Sequence, residues 1–289
     1  MPTRNDYVET FHNDSYPSLE KPIKARACEG KVVFIPGAGT GIGKATAHAF
    51  ARAGAKHVFI AGRTEKTLAA TKTDIEQASP KTKVDYFVLD ICDTARVTET
   101  FKACVAKAGS PMDILVNNAA YISFQEALGD PDKIWQHFEV NVKGFMNVVR
   151  DFLANAVEKS PTIVNVSSGA AVIEYKDGLC PYSASKLATL KMMDYLHNEE
   201  KDGRGTRIFS IQPGNVATAM AAEGKTICAD SAELPAGFCV WLTTRDADFL
   251  RGRFLYANWD IDQLIAKKKE IVDGGQLRLG VYGWDSCAF

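Results

Sequence analysis

Six short apolar runs, rich in β-branched and aromatic residues, recur between longer amphipathic stretches along the 289-residue chain. This alternation constrains the fold more than any other feature. The runs are Val32–Ile35, His57–Ala61, Lys83–Leu89, Asp113–Val116, Thr162–Val166 and Arg207–Ile211, and each has the length and composition of a strand. Helices are expected from Ile42 onward (IGKATAHAFARAGA), over Glu65–Ala78, Thr94–Ala108, Pro131–Lys159 and Pro181–Glu199. Strands separated by helices pair through right-handed crossovers, which predicts a doubly wound parallel α/β sheet with helices on both faces. Ligands in such sheets sit at the carboxyl ends of the strands, near the point where the strand order reverses.

The residues just after the predicted strands are unusual. Lys31–Gly43 reads KVVFIPGAGTGIG, so glycines at 37, 41 and 43 join the first strand to the first helix. Glycine lets the backbone turn tightly and approach a diphosphate, while the free N–H groups and positive dipole end of the helix face the anion. An ordinary glycine-rich turn has the same look. The spacing is G-x-x-x-G-x-G, not the G-x-G-x-x-G of the common dinucleotide fingerprint. The second strand ends in Ala61-Gly62-Arg63-Thr64, with no carboxylate to grip a ribose hydroxyl. Arg63 instead suits a 2′-phosphate, through charge-assisted bonds worth about 1.5–3 kcal/mol, so NADP(H) is favoured over NAD(H). Lys44 and Thr64 are possible helpers, and a solvated surface arginine is the plain alternative. Asp90 and Ile91 follow the third strand and can meet an adenine. Alone, Asp90 reads as a turn or N-cap aspartate before Thr94, and Asn117-Asn118 as residues closing a turn.

The chemistry points to PYSASK. Tyr182 and Lys186, four residues apart on a helix, share one face. A free tyrosine has a pKa near 10, and a neighbouring ammonium stabilises the phenolate, which suits proton transfer to or from an alcohol oxygen. Ser168 ends the fifth strand in VNVSSG, where its hydroxyl can serve the same oxygen or cap backbone.

Taken together and in order, these residues resemble the short-chain dehydrogenase/reductase family in its single-domain, Rossmann-like form. The glycine loop matches at 36–43, N-N-A-G at 117–120, the serine at Ser168, Y-x-x-x-K at Tyr182–Lys186 and P-G-x-V-x-T at Pro213–Thr218. The likeness covers about residues 30–260. The opening segment and FLRGRFLYANWD further resemble a fungal subgroup that often serves secondary metabolism. The resemblance implies about seven strands and a catalytic tetrad. Tyr182 is the acid/base, Lys186 lowers its pKa and binds the nicotinamide ribose, Ser168 holds the substrate oxygen, and Asn141 positions a proton-relaying water. Read without the resemblance, Asn141 is a helix-interior amide facing a neighbouring backbone. The implied cofactor residues are Gly37, Thr40, Gly41, Ile42, Gly43, Arg63, Asp90, Ile91, Asn117, Ala119, Tyr182, Lys186, Pro213, Val216 and Thr218. A homodimer or homotetramer through the helices at 131–159 and 181–199 is also implied.

Three positions depart from the family pattern. Pro36 replaces a threonine and removes a backbone donor, which predicts a less rigid loop. Ala120 replaces a glycine and is tolerable where φ is negative. Ala257-Asn258-Trp259-Asp260 stands where relatives read V-D-G-G, followed by a predicted helix over Ile261–Val272. The later Val272-Asp273-Gly274-Gly275 reads as a C-cap and turn.

Composition narrows the rest. A net charge of -1 gives no electrostatic case for nucleic acid or an anionic membrane, and no apolar run approaches the ~20 residues of a membrane span. Seven scattered cysteines without C-x-x-C pairs suggest reduced thiols, no structural metal and a cytoplasmic protein. Residues 1–30 are polar and proline-punctuated, and read as an extended arm with Tyr7, Phe11, Tyr16 and Leu19 as possible fasteners. Residues 31–289 read as one catalytic domain, with a C-terminal extension after about 260. The small-molecule pocket is expected between Tyr121–Phe124, Gly169–Tyr175, the loop through Leu179 and a lid over Ala219–Leu234. Tyr121, Phe124, Ile173, Leu179 and Met220, with Tyr175, suggest an apolar or aromatic ketone or alcohol, and Glu174 a polar contact. Two other readings stay open: a non-catalytic dinucleotide sensor, and an NAD-dependent alcohol dehydrogenase. An oligomeric scaffold built on the long helices is a further possibility.

Overall fold

The computed structural model describes residues 7–172, 176–218 and 228–280. Its centre is a seven-stranded sheet, all pairs parallel. The strands are β1 (Val32–Pro36), β2 (His57–Gly62), β3 (Lys83–Val88), β4 (Ile114–Asn117), β5 (Thr162–Val166), β6 (Arg207–Gln212) and β7 (Phe254–Tyr256). Their spatial order is β3-β2-β1-β4-β5-β6-β7, so the direction of winding reverses between β1 and β4. This is the doubly wound, Rossmann-like arrangement expected from the alternation, with helices on both faces.

Every residue of β1 is buried, because successive side chains serve opposite cores. Val33 and Ile35 join the apolar cluster containing Phe50 of α2 (Gly41–Arg52) and Trp241 of α8 (Glu233–Leu242). Val32 and Phe34 join Phe101 of α4 (Thr94–Ala108) and Phe152 of α6 (Phe145–Asn155). The edge strand β3 is covered less: Val84 is buried while Lys83 and Val88 are exposed. Helix α3 (Glu65–Ala78) crosses between β2 and β3, and α7 (Cys180–Glu200) between β5 and β6. At the opposite end of the sheet from the strands' carboxyl ends, Arg207 donates to Asp248 at 2.8 Å and to the carbonyls of Leu242, Thr243 and Thr244. With Thr162 Oγ1 as a further acceptor at 3.1 Å, each of the five donors of this buried guanidinium meets an acceptor.

Four local expectations are corrected. The single helix over 131–159 is broken: α5 (Pro131–Phe138) passes into a π-helical turn over Glu139–Gly144, and α6 then ends at Asn155. The wide turn interrupts the 3.6-residue period without ending the helix, so periodicity alone does not reveal it. Residues 17–24 of the opening arm form helix α1 (Pro17–Lys24), which buries Leu19 and Ile23 from one face. Pro17 at the first position presets its backbone angle. The expected helix over 261–272 is two short ones, α9 (Ile261–Ala266) and α10 (Lys268–Asp273). Glu233 and Leu234, read as the end of a lid, start α8, and Leu234 is fully buried.

The rest of the described arm is fastened one residue at a time. The Tyr7 ring stacks on Trp259 at 4.8 Å and Phe11 pairs its backbone with Trp259. His12 lies 2.8 Å from Asp260, and Asn13 donates to Asp230 at 2.5 Å. Contacts scattered over so many partners leave no period to read. No helix among the described residues is long and apolar enough to cross a membrane.

Candidate active site

The loop between β1 and α2 is shaped by backbone that only glycine accommodates. Gly37 and Gly41 have φ of 75° and 55°. A Cβ on Gly43 would lie 2.3 Å from the Gly37 carbonyl oxygen, and one on Gly41 would lie 2.9 Å from Thr218 Cγ2. Thr40 precedes α2 in extended conformation and its side chain makes no capping hydrogen bond, so it leaves the first N–H groups of the helix uncapped. Pro36 does not leave this loop loose. The Asn118 amide donates to the carbonyls of Pro36 at 3.2 Å and Gly37 at 3.1 Å, and Gly37 N–H donates to Ala61 O at 2.7 Å. Ala120 is not among the described residues with positive φ, so its methyl group is unstrained.

A cavity of about 420 Å³ runs from this loop past the ends of β2 and β3 to α7. Of the residues expected at a dinucleotide, Gly37, Thr40, Gly41, Ile42, Gly43, Arg63, Asp90, Ile91, Ala119, Tyr182, Lys186, Pro213 and Thr218 line it. Asn117 and Val216 do not. Asn117 is the last residue of β4, on the face shared with Leu115, and its amide lies 3.5 Å from the Phe145 carbonyl. Its neighbour Asn118 lines the cavity instead. Val216 is buried and pairs with Asp230. Arg63 is exposed at the cavity rim and makes no ion pair among the described residues, whereas Lys44 is held by Asp74 at 2.6 Å. Asp90 lines the cavity and also makes the turn: its carboxylate accepts from Cys92 N–H at 2.9 Å. The N-cap of α4 is Asp93.

At the other end, Tyr182 and Lys186 sit on one face of α7, both buried, with the ammonium 5.8 Å from the phenol ring centre. Lys186 Nζ donates to the Val166 carbonyl at 2.9 Å. Tyr182 is hydrogen-bonded to Ser168, whose hydroxyl also accepts from Ala170 N–H at 3.1 Å. Of the two uses read from the sequence for Ser168, the backbone cap is the one present here. Burial pushes the Tyr182 phenol up to about 12, against the lowering pull of Ser168, and pushes Lys186 down to about 8. The expectation that the ammonium lowers the phenol is corrected here: loss of solvent outweighs it while Nζ is aimed at a carbonyl.

Asn141 lies in the π-helical turn. Its amide accepts from Tyr121 N–H at 2.7 Å and donates to Tyr121 O and to Ser185 Oγ, each at 2.9 Å. Ser185 in turn donates to the Tyr182 carbonyl at 2.8 Å. The amide thus faces backbone, as the residue read alone suggests, and links the Tyr121 segment to the helix bearing Tyr182. Of the expected substrate residues, Tyr121 lines the cavity, Phe124 packs near Gly178, and Leu179 pairs with Gln125. Ile173, Glu174, Tyr175 and Met220 lie outside the described residues, as does most of the expected lid.

Residues 31–227 match the family model described as short chain dehydrogenase. The chain belongs to the short chain dehydrogenase family. Curated members similar to it include the short chain dehydrogenase citE of Monascus ruber, 36% identical over 287 residues, covering 94% of this chain and 95% of that one. The Monascus ruber short chain dehydrogenase pigC is 34% identical, covering 95% and 93%. Among solved structures, a short chain dehydrogenase from Salmonella enterica serovar Typhi superposes with a TM-score of 0.74 at 22% identity, over 85% of this chain and all of that one. A dehydrogenase/reductase from Sinorhizobium meliloti gives 0.72 at 24%, over 83% and 100%. Short chain dehydrogenases bind a nicotinamide dinucleotide, and the glycine loop, with no room for a Cβ at Gly43, fits such a group.

The sequence places Asn118 in the N-N-A-G motif without naming it among the cofactor residues, and it does not single out Ser185. Asn118 was legible in principle, since a side chain following a four-residue strand reaches the next loop. Ser185 carries no signal outside the folded helix pair.

Proposed function

We propose that this chain is an NADP(H)-dependent oxidoreductase that moves hydride between the nicotinamide and a ketone or secondary alcohol. The substrate is a small apolar or aromatic metabolite, and the setting is fungal-type secondary metabolism in the cytoplasm. The observation that supports the reading is one cavity lined by Arg63 at one end and by Tyr182 and Lys186 at the other, with Ser168 just behind the phenol. A homodimer or homotetramer through α5–α6 and α7 is part of the proposal, as is an arm–domain division near residue 30.

Gly37, Gly41, Gly43 and the first turn of α2 would hold the diphosphate, Arg63 the 2′-phosphate, Asp90 and Ile91 the adenine, and Tyr182 and Lys186 the nicotinamide ribose. When bound, the dinucleotide supplies or accepts the hydride. The chain's own residues handle the proton. A phenol held near 12 is protonated at neutral pH and so is poised to donate to a carbonyl oxygen in the reductive direction. Ser168 orients that oxygen, and the Lys186 ammonium stabilises the phenolate left behind. Tyr121 walls the substrate side.

Turnover of a ketone panel with NADPH by wild type and Tyr182→Phe tests this. Loss of turnover with cofactor binding kept supports the mechanism. Equal rates would remove it and leave a dinucleotide sensor, and NADH working as well as NADPH would favour the NAD-dependent alternative.

A further inference from the structure

Beside the cavity, residues 121–125 belong to no named strand or helix, and side chains of the neighbouring helical stretch hold their backbone. Asn141 meets both the N–H and the C=O of Tyr121. Four residues earlier, on α5, His137 holds Ser123: its Nε2 accepts from Ser123 N–H at 3.0 Å and lies 3.2 Å from Ser123 O. Two residues further on, Gln125 N–H donates to the Gly178 carbonyl at 2.8 Å, just before α7 begins. The alternating residues 121, 123 and 125 are thus gripped by Asn141, His137 and Gly178 in turn.

His137 is built for this. It has no solvent exposure, and its Nδ1 lies 2.9 Å from the Lys133 carbonyl. A carbonyl facing Nδ1 and an N–H facing Nε2 select the tautomer protonated on Nδ1. The imidazole also packs against the Tyr121 ring, centroids 4.9 Å apart and planes inclined at 59°. Ser123 Oγ is buried without a hydrogen-bond partner among the described residues, so the imidazole is the side chain seen to hold this residue.

We infer that His137 is a positioning residue that sets substrate selectivity: it fixes the Tyr121 wall of the cavity through the Ser123 backbone, without lining the cavity itself. The reading rests on the proposed carbonyl reduction for its kinetic consequence and on geometry alone for the clamp.

Two variants of the full chain test it. His137→Phe keeps a ring against Tyr121 but strands the Ser123 N–H. His137→Gln restores an amide able to accept from Ser123 N–H and donate to Ser123 O, as Asn141 does for Tyr121. A stranded buried donor costs about 1–3 kcal/mol, equivalent to roughly a five- to hundredfold change. Hydrogen exchange at the Ser123 amide is expected to accelerate about tenfold or more in His137→Phe and to return towards wild type in His137→Gln. With aryl-alkyl ketones and cyclohexanones of graded size and NADPH, His137→Phe is expected to raise KM and flatten the ratio of kcat/KM between small and large ketones. The Kd for NADPH should stay within a few-fold, and the Gln variant should restore the ratio. A purely structural role would lower Tm without moving that ratio, and an unmoved ratio overturns the inference. So does unchanged exchange in His137→Phe. Failure of the wild type to reduce any ketone would instead overturn the proposed function, and amide exchange would then decide the clamp by itself.

Discussion

The two ends of the cavity are made of different materials. At the β1–α2 end the surface is main chain: two glycines with positive φ, a third whose Cβ has no room, and helix N–H groups left uncapped. At the α7 end it is side chains: a buried phenol and amine beside a half-buried hydroxyl, on a helix braced by Asn141 and Ser185. A diphosphate offers the same oxygens whatever is attached to it, so main-chain donors at fixed spacing suffice. Proton transfer needs a group with a particular pKa, and only side chains provide one. Changes at the first end should therefore act on cofactor affinity, and changes at the second on the rate of turnover.

The sharpest way to break this contrast is Tyr182→Phe. Removing a positioned acid typically costs a factor of about 10²–10⁴, so kcat should fall by that much while Kd for NADPH moves only a few-fold. Steady-state kinetics beside fluorescence titration read both numbers; a matching loss of affinity would mean the two ends are one coupled unit. Next in size is Gly43→Ala. The new methyl group meets the Gly37 carbonyl at 2.3 Å and the Cα of Ala38 at 2.9 Å, which are main-chain atoms that move only if α2 moves. Kd for both NADPH and NADH should rise at least about tenfold, since each donor lost at the diphosphate costs roughly 0.5–1.5 kcal/mol and several shift together. Unchanged affinity would show that α2 slides without cost. Arg63→Ala follows. Its expected loss, about tenfold, falls on NADPH and spares NADH, because the guanidinium is worth its charge-assisted bonds only where a 2′-phosphate is present. Equal losses would place Arg63 outside cofactor discrimination.

Legibility in the sequence followed the same division. The sheet could be read because its strands are short apolar runs between glycine and proline, and the glycine loop because its spacing is local. Tyr182 and Lys186 could be placed together because four residues on a helix always share a face. What could not be read depends on partners far along the chain. Asn117 was expected at the cofactor and Asn118 was not, yet the parity of β4 puts Asn117 against Phe145. The π-helical turn that aims Asn141 at Tyr121 has no period of its own. The Tyr182 pKa was expected to fall because the lysine is near in sequence. It rises because the folded chain strips both groups of water, which no local pattern records.

The smallest effect expected is on stability, and it tests the burial of Lys186 directly. Burial lowers this amine from its ordinary 10.5 to about 8. Between those values the unfolded chain holds a proton that the folded chain has released, so this group makes stability rise with pH from about 8 to 10.5. Below 8 the cost of burying the ammonium is fully present, and above 10.5 it is gone. Tyr182 works the other way and later: raised from 10.0 to about 12, it makes stability fall as pH climbs through that interval. In Lys186→Met the buried cation is replaced by a chain of similar length. The variant should melt a few degrees above wild type at pH 7, with the gap closing as pH approaches 10.5, while every other titrating group cancels in the difference. Melting curves at pH 7, 8, 9 and 10 read the gap; one that stays constant would mean the ammonium is not desolvated in the folded chain. If the gap closes as expected, the chain keeps an amine that weakens its own fold at neutral pH. A group retained at such a cost is found where chemistry requires it, here beside the phenol and not among the glycines.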